Sequence, residues 1–169
     1  MAGKTTKRTR VDLKADLLYG LKAVRESILA EALALPPGAC EVIFLGTWSV
    51  MDLLAHLSGW DYTNLQAAQD ILDGLLPEFY EHHDRDWQTY NASLVEKYKQ
   101  PTLRKQVALV RQSQKQLLDE LQKLSEEDIK RDTGVRARGI KVTIARLLQA
   151  ELEDETTHFE QLYEFGKSL

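Results

Sequence analysis

Apolar side chains recur at three- and four-residue spacing along nearly the whole chain, the period of an amphipathic helix. Leu13, Leu17, Leu21, Val24 and Ile28 share one face of a first predicted helix, from Val11 to about Leu35, which Pro36-Pro37-Gly38 ends. The apolar run Val42-Ile43-Phe44-Leu45 before Gly46 reads as either a brief extended stretch or a buried loop. Ser49 is a good N-cap for a second helix, and Asp52 stands at N3, where a carboxylate favours the helix dipole. Trp48 and Leu53 are placed as a hydrophobic staple across that start. The second helix runs to about Leu72, where Asp73-Gly74 stops it, and Leu75 to Arg85 reads as a loop. Asp86 opens a short third helix to about Tyr98. Pro101-Thr102 opens a fourth, with Leu103, Val107, Val110, Leu117, Leu118 and Leu121 on its apolar face, ending near Leu124-Ser125. Thr133 to Gly139 reads as a basic loop, and the last helix spans about Val142 to Phe165.

Four long amphipathic helices and one short extra helix predict an all-α, antiparallel up-and-down four-helix bundle. The chain of 169 residues fits one domain, expected over residues 11–169. Residues 1–10 carry Lys4, Lys7, Arg8 and Arg10 and no acid, and are expected to be a disordered basic tail. The remaining body has 18 basic against 26 acidic side chains, a net charge of −8. On that balance nucleic acid is not expected as the main partner. Cys40 is the one cysteine, so no disulfide framework forms within the chain, and a cytoplasmic location fits. No apolar segment reaches the roughly 18–20 residues of a membrane span.

Chemistry concentrates on two helices. His56 lies at the edge of the second helix's apolar face, beside Leu53 and Trp60. On the last helix the stripe Ile144, Leu147, Leu148 and Leu162 also carries Glu151, Asp154, Glu155 and His158 on its side, at about 100° per residue. Burying unpaired carboxylates costs several kcal/mol, roughly, and a divalent metal would compensate. Asp154 and His158 are an i, i+4 pair able to reach one ion. With His56 they form a two-histidine, one-carboxylate set that leaves coordination positions open; zinc, nickel, iron and manganese all suit it. Asp52 is a further candidate ligand, though capping suits it better. Glu155 is an alternative ligand, and Glu151 a general base. The competing reading is a salt-bridged seam whose acids pair with Arg136, Arg138, Lys141 or Arg146. His82-His83 with Asp84 and Asp86 is a second polar cluster, suited to an exposed loop or part of a lid.

The string Trp48-Ser49-Val50-x-Asp52-Leu53-Leu54-x-His56-Leu57-x-x-Trp60 resembles the first-histidine motif of the DinB/YfiT-like family of metal-dependent bundles. Asp154-x-x-x-His158-x-x-Gln161 resembles its His-x-x-x-His-x-x-Gln motif, with Asp154 in place of the first histidine. Asn91 and the Leu124–Asp128 run are similar to the maleylpyruvate isomerase-like and ClbS/DfsB-like branches. The resemblance implies a bundle, often a homodimer, with a metal on His56, Asp154 and His158; catalytic roles for Glu151 and Glu155 are expected from their place beside those residues on the last helix. It implies a low-molecular-weight thiol as possible cofactor. The expected activity is transfer, isomerisation or hydrolysis on a small electrophilic substrate, in detoxification or stress response. Trp60, Tyr62 and Tyr90 are candidates to shape the cleft. A non-enzymatic bundle that binds or sequesters a small molecule over a vestigial site is the alternative. No nucleophile elbow, phosphate loop or dinucleotide fingerprint is present.

Overall fold

A computed structural model describes residues 12–82 and 86–169. The expected basic tail lies outside the described residues, as do the side chains of the His82-His83-Asp84 cluster. Four long helices dominate: α1 (Leu13–Ala34), α2 (Val50–Leu72), α5 (Leu103–Lys123) and α7 (Ile144–Ser168). Between α2 and α5 the chain forms α3 (Phe79–His82) and α4 (Trp87–Tyr98), and α6 (Glu126–Lys130) follows α5. Each long helix starts where a short polar side chain caps it. Asp12, Ser49, Thr102 and Thr143 each accept a backbone N–H from the first turn, and Ser49 with Asp52 closes a full capping box.

The direction of each helix follows from its contacts. Gly20 packs on Leu152, Arg25 on Glu155 and Gly166 on Leu35, so α1 and α7 run parallel. Trp60 meets Asn91, Gly59 meets Leu94 and Asp52 meets Lys99, so α4 runs back along α2. Counted with α4, successive helices alternate in direction, as short connections demand. Because α4 makes the middle pass, α2 and α5 run the same way and pack together.

The apolar run before Gly46, for which an extended stretch is one of two readings, and the basic loop each form part of a small hairpin. β1 (Ile43–Leu45) pairs antiparallel with β2 (Trp48–Ser49), and β3 (Arg136–Ala137) with β4 (Ile140–Lys141). Arg138 and Gly139 both take positive φ, the requirement of a two-residue hairpin turn. Asp132 holds that hairpin by pairing with Arg136 and Lys141. Thus Arg136 and Lys141 are not partners of the α7 acids. The segment 75–85 also contains the helical turn α3.

The apolar core has two parts. Leu17, Leu21, Ile71, Leu117, Leu121 and Leu148 belong to one cluster, and Ile28, Leu53, Leu54, Leu57, Val110 and Leu162 to the other. Between them each long helix contributes a buried polar side chain: Arg25, Asp61, Ser113 and Glu155. No described helix is long and apolar enough to cross a membrane.

Close helix packing gives a first prediction. A Cβ on Gly59 would stand 2.7 Å from Leu94 Cβ, an atom fixed to the backbone of α4. One on Gly20 would meet only the far end of the Leu152 side chain, at 2.9 Å. Gly59→Ala should therefore lose about 1–2 kcal/mol, overpacking exceeding the helix-propensity gain. Gly20→Ala should be neutral or up to about 1 kcal/mol more stable. Urea unfolding of both variants checks the order, and equal midpoints would refute this account of α2–α4 contact.

Candidate metal centre

His56 projects from the second turn of α2 and is almost fully buried. Trp48, carried by β2, lies over its ring with centroids 4.7 Å apart. This places Trp48 against the histidine as well as at the helix start. Asp154 and His158 reach the same point from α7, one turn apart. Asp154 Oδ2 lies 3.7 Å from His56 Nε2 and 3.3 Å from His158 Nε2. One donor atom from each of the three residues lies within 4.8 Å of the others. Donors around a tetrahedral ion at ~2.0–2.1 Å stand roughly 3.3 Å apart, so this set is close to a ligand arrangement.

The hydrogen bonding of the two rings differs. Gln161 Oε1 accepts from His158 Nδ1 at 2.9 Å, which turns Nε2 toward Asp154. Neither nitrogen of His56 has a hydrogen-bond partner among the described residues, although both are buried. An unsatisfied buried polar atom costs about 1–3 kcal/mol. A cation against His56 would remove that cost, so the residues present fit a divalent metal. Electrostatics agree with a ligand role for His56 and favour a proton on His158 until a cation displaces it. Burial lowers the pKa of His56, against the pull of Asp154, and keeps the ring neutral. Burial also disfavours charge on His158, but Asp154 outweighs it and the pKa is raised. The two histidines in turn hold Asp154 well below the carboxylate range despite its partial burial.

Asp52 is not in this group. Its Oδ2 accepts from the Ser49 N–H and hydroxyl, and its Oδ1 takes the Lys99 ammonium at 2.6 Å. Capping and the ion pair occupy it fully. Glu155 is also turned elsewhere. Arg25 Nε and Nη2 donate to its two oxygens at 2.9 and 2.7 Å. The same guanidinium donates to Asp61 at 2.8 and 3.1 Å, and Ser113 Oγ donates to Asp61 at 2.6 Å. Arg25, absent from the sequence reading, is thus the basic partner of the buried acids. A cation between Leu21 and Ile28 on an apolar stripe was the available signal.

Glu151 lines a cavity of about 450 Å3 that also contains His56, Asp154 and His158. Trp48, Trp60, Phe79, Tyr80 and Trp87 give it an aromatic wall, with Arg146 at its edge. Trp60 was expected there. Tyr62 instead stacks on Tyr98, and Tyr90 lies behind Trp60, its hydroxyl 3.2 Å from Thr63 Oγ1. Burial, reinforced by the charges of Glu155 and Asp61, lifts Glu151 well above the carboxylate range, against a smaller opposing effect of Arg25 and Asn64. It therefore holds its proton. Asn64 lines the same wall, and no full-strength hydrogen bond closes on either amide atom.

Residues 21–162 match the DinB superfamily. The fold is shared with ClbS, a colibactin self-resistance protein crystallised in complex with a dsDNA. ClbS is 16% identical with a TM-score of 0.74, over 92% of this chain and 96% of that one. It is shared also with an uncharacterised protein from Escherichia coli UTI89, 17% identical with a TM-score of 0.70, over 92% and 93% of the two chains. No curated protein matches the chain. The expectation that nucleic acid is excluded as a partner does not stand, because a bundle of this fold has been crystallised with duplex DNA. Net charge sums over every face, whereas a phosphate backbone meets only one.

Two predictions follow from the buried charges. Arg25→Met leaves Asp61 and Glu155 buried without a cation and should cost about 3–5 kcal/mol in denaturant unfolding; a loss under about 1 kcal/mol would mean that the layer is hydrated. Glu151 binds its proton more tightly folded than unfolded. Its contribution is therefore complete below pH ~4.5 and is lost as pH rises toward the raised folded pKa. Glu151→Gln should gain stability relative to wild type across that rise. Parallel stability-against-pH curves would show that Glu151 is ionised in the fold.

Proposed function

The chain belongs to the DinB superfamily, and on that footing we propose a metal-dependent enzyme acting in the cytoplasm on small electrophilic molecules, in detoxification or stress response. His56, Asp154 and His158 hold one divalent ion: zinc, nickel, iron or manganese. The observation that carries the reading is the convergence of these three donors from two helices, with both nitrogens of His56 buried and without a hydrogen-bond partner among the described residues. An ion held there supplies Lewis acidity, which lowers the pKa of a low-molecular-weight thiol or a water and makes it a nucleophile at neutral pH.

The chain's own residues do the remaining work. Gln161 orients the His158 ring through Nδ1, so that Nε2 faces the site. The aromatic wall excludes water and offers flat, polarisable surfaces to an unsaturated substrate. Glu151, neutral in this setting, is placed to give a proton to the leaving atom or to the carbon that gains charge, and to recover it afterwards. Its proton is held within a low-dielectric wall, where transfer encounters little competition from bulk water. Glu155, first read as catalytic, acts here through Arg25 as a support for α7. Transfer of a thiol, isomerisation and hydrolysis all use this arrangement. The alternative, a bundle that binds small molecules without turning them over, keeps the cavity but needs no ion.

Metal content separates the two. Protein purified without a histidine tag and loaded with zinc or nickel should hold about one equivalent, as a single site predicts. His56→Ala and His158→Ala should each lose it, while Glu155→Gln should keep it. Elemental analysis after gel filtration is the measurement. Wild-type protein that retains no metal, or a His158→Ala protein that retains it unchanged, moves the function to binding alone.

A further inference from the structure

Charge is segregated along this chain. From Lys97 to Leu118 there are six basic side chains and no acid, whereas the rest has 16 basic against 26 acidic. Most of this stretch is α5. Its inward face, including Val107, Val110, Ser113 and Leu117, is buried in the bundle. Its outward face exposes Arg104, Lys105, Arg111 and Lys115, with Gln112 and Gln116 among them.

Elsewhere basic side chains are mostly matched by nearby acids. Lys130 pairs with Glu126, Arg131 with Asp128 and Lys167 with Glu164. On α5 the matched cations are at the far end, where Lys115 meets Asp119 and Lys123 meets Glu120. Arg104, Lys105 and Arg111 have no ion-pair partner among the described residues. Arg104 and Arg111 stand two turns apart, about 10 Å along the axis, and Lys115 is about 6 Å further. Ala108 lies between the two arginines, so no bulky side chain separates the cations from a surface laid across them.

We propose that this face of α5 binds the phosphodiester backbone of duplex DNA, without reading its sequence. A linear array of unmatched arginine and lysine, with glutamine as further donor, matches a row of phosphates. The apolar face of α5 is buried inside the bundle, so the helix has no hydrophobic side with which to enter a lipid surface. Arginine presents several donors to each phosphate, and a duplex supplies a regular row of charges along one line. The face does not overlap the metal centre, because α5 contributes no residue to the cavity wall. The proposal therefore stands apart from the enzymatic reading.

The test is fluorescence anisotropy of a labelled duplex of about 20 base pairs titrated with the full chain at several salt concentrations, beside the triple variant Arg104→Ala, Lys105→Ala, Arg111→Ala. Wild type should bind at low salt with affinity falling steeply as salt rises. The variant should bind at least about tenfold more weakly, and its log–log salt slope should be shallower by roughly three, one for each lost phosphate contact. Circular dichroism and zinc content should be unchanged in the variant. No duplex binding at low salt overturns the proposal. So does binding of equal strength in the variant, which would move the contact to another part of the chain. Capture of polyglutamate with no capture of duplex overturns it in favour of an acidic protein partner.

Discussion

The Arg25 guanidinium sets the register of the bundle. It is fully buried, and its planar fork is taken up on one edge by Asp61 and on the other by Glu155, while Ser113 completes Asp61. Apolar packing alone tolerates small slides and rotations of one helix against another, because it is non-directional. A bidentate charged hydrogen bond does not. Asp61 stands five residues after His56 on α2, and Glu155 stands between Asp154 and His158 on α7. Once Arg25 takes Asp61 and Glu155, the faces that carry the three candidate ligands are fixed toward each other. Arg25, Asp61, Ser113 and Glu155 thus hold the three candidate ligands in place although none of the four lines the cavity.

That layer is also overloaded. Asp61, Glu155 and Glu151 are three buried acids near one buried guanidinium. Burial, reinforced by the charges of Glu155 and Asp61, raises the pKa of Glu151, and burial raises that of Glu155 too, although Arg25 binds it. An acid whose protonated form is favoured beside an aromatic cavity has chemical use, as does a buried histidine with no hydrogen-bond partner among the described residues. Both weaken the fold locally. Sites of this kind persist where surrounding structure over-determines them, and here four long helices do so.

The outer surface follows a different rule from the core. Acids dominate most of it, in short-range pairs that are screened and contribute little each. The outward face of α5 is the exception, and it lies on a helix whose other side is occupied by packing against α2. Cavity and cationic face therefore occupy separate sides of the bundle. A change in one surface charge on α5 leaves the buried layer untouched, and a change in Arg25 disturbs every long helix at once.

Much of the bundle was legible because its signals are local. Ser49 and Asp52 mark the start of α2 within four residues, and Pro36-Pro37-Gly38 marks the end of α1. Spacing of three and four residues is a property of one helix, so the Asp154–His158 pair and the edge position of His56 were readable without a partner in view. An extended run at Ile43–Leu45 is one of two readings of that stretch, but the pairing of both hairpins was hidden because each strand is two or three residues long, too short for alternation to register. The reversal of α4, which makes α2 and α5 parallel, depended on a pass that looked like an accessory. Arg25 was missed as the partner of Asp61 and Glu155 because the sequence separations are 36 and 130 residues. Periodicity says which face a residue occupies, not which residue of another helix will meet it. Thus helix ends, apolar faces and the types of donor followed from the chain itself. The pairing of Arg25, the diversion of Glu155 away from the cavity and the aromatic wall built from β2, α2, α3 and α4 were decided only when the helices packed, since each is a contact between segments that share no local pattern.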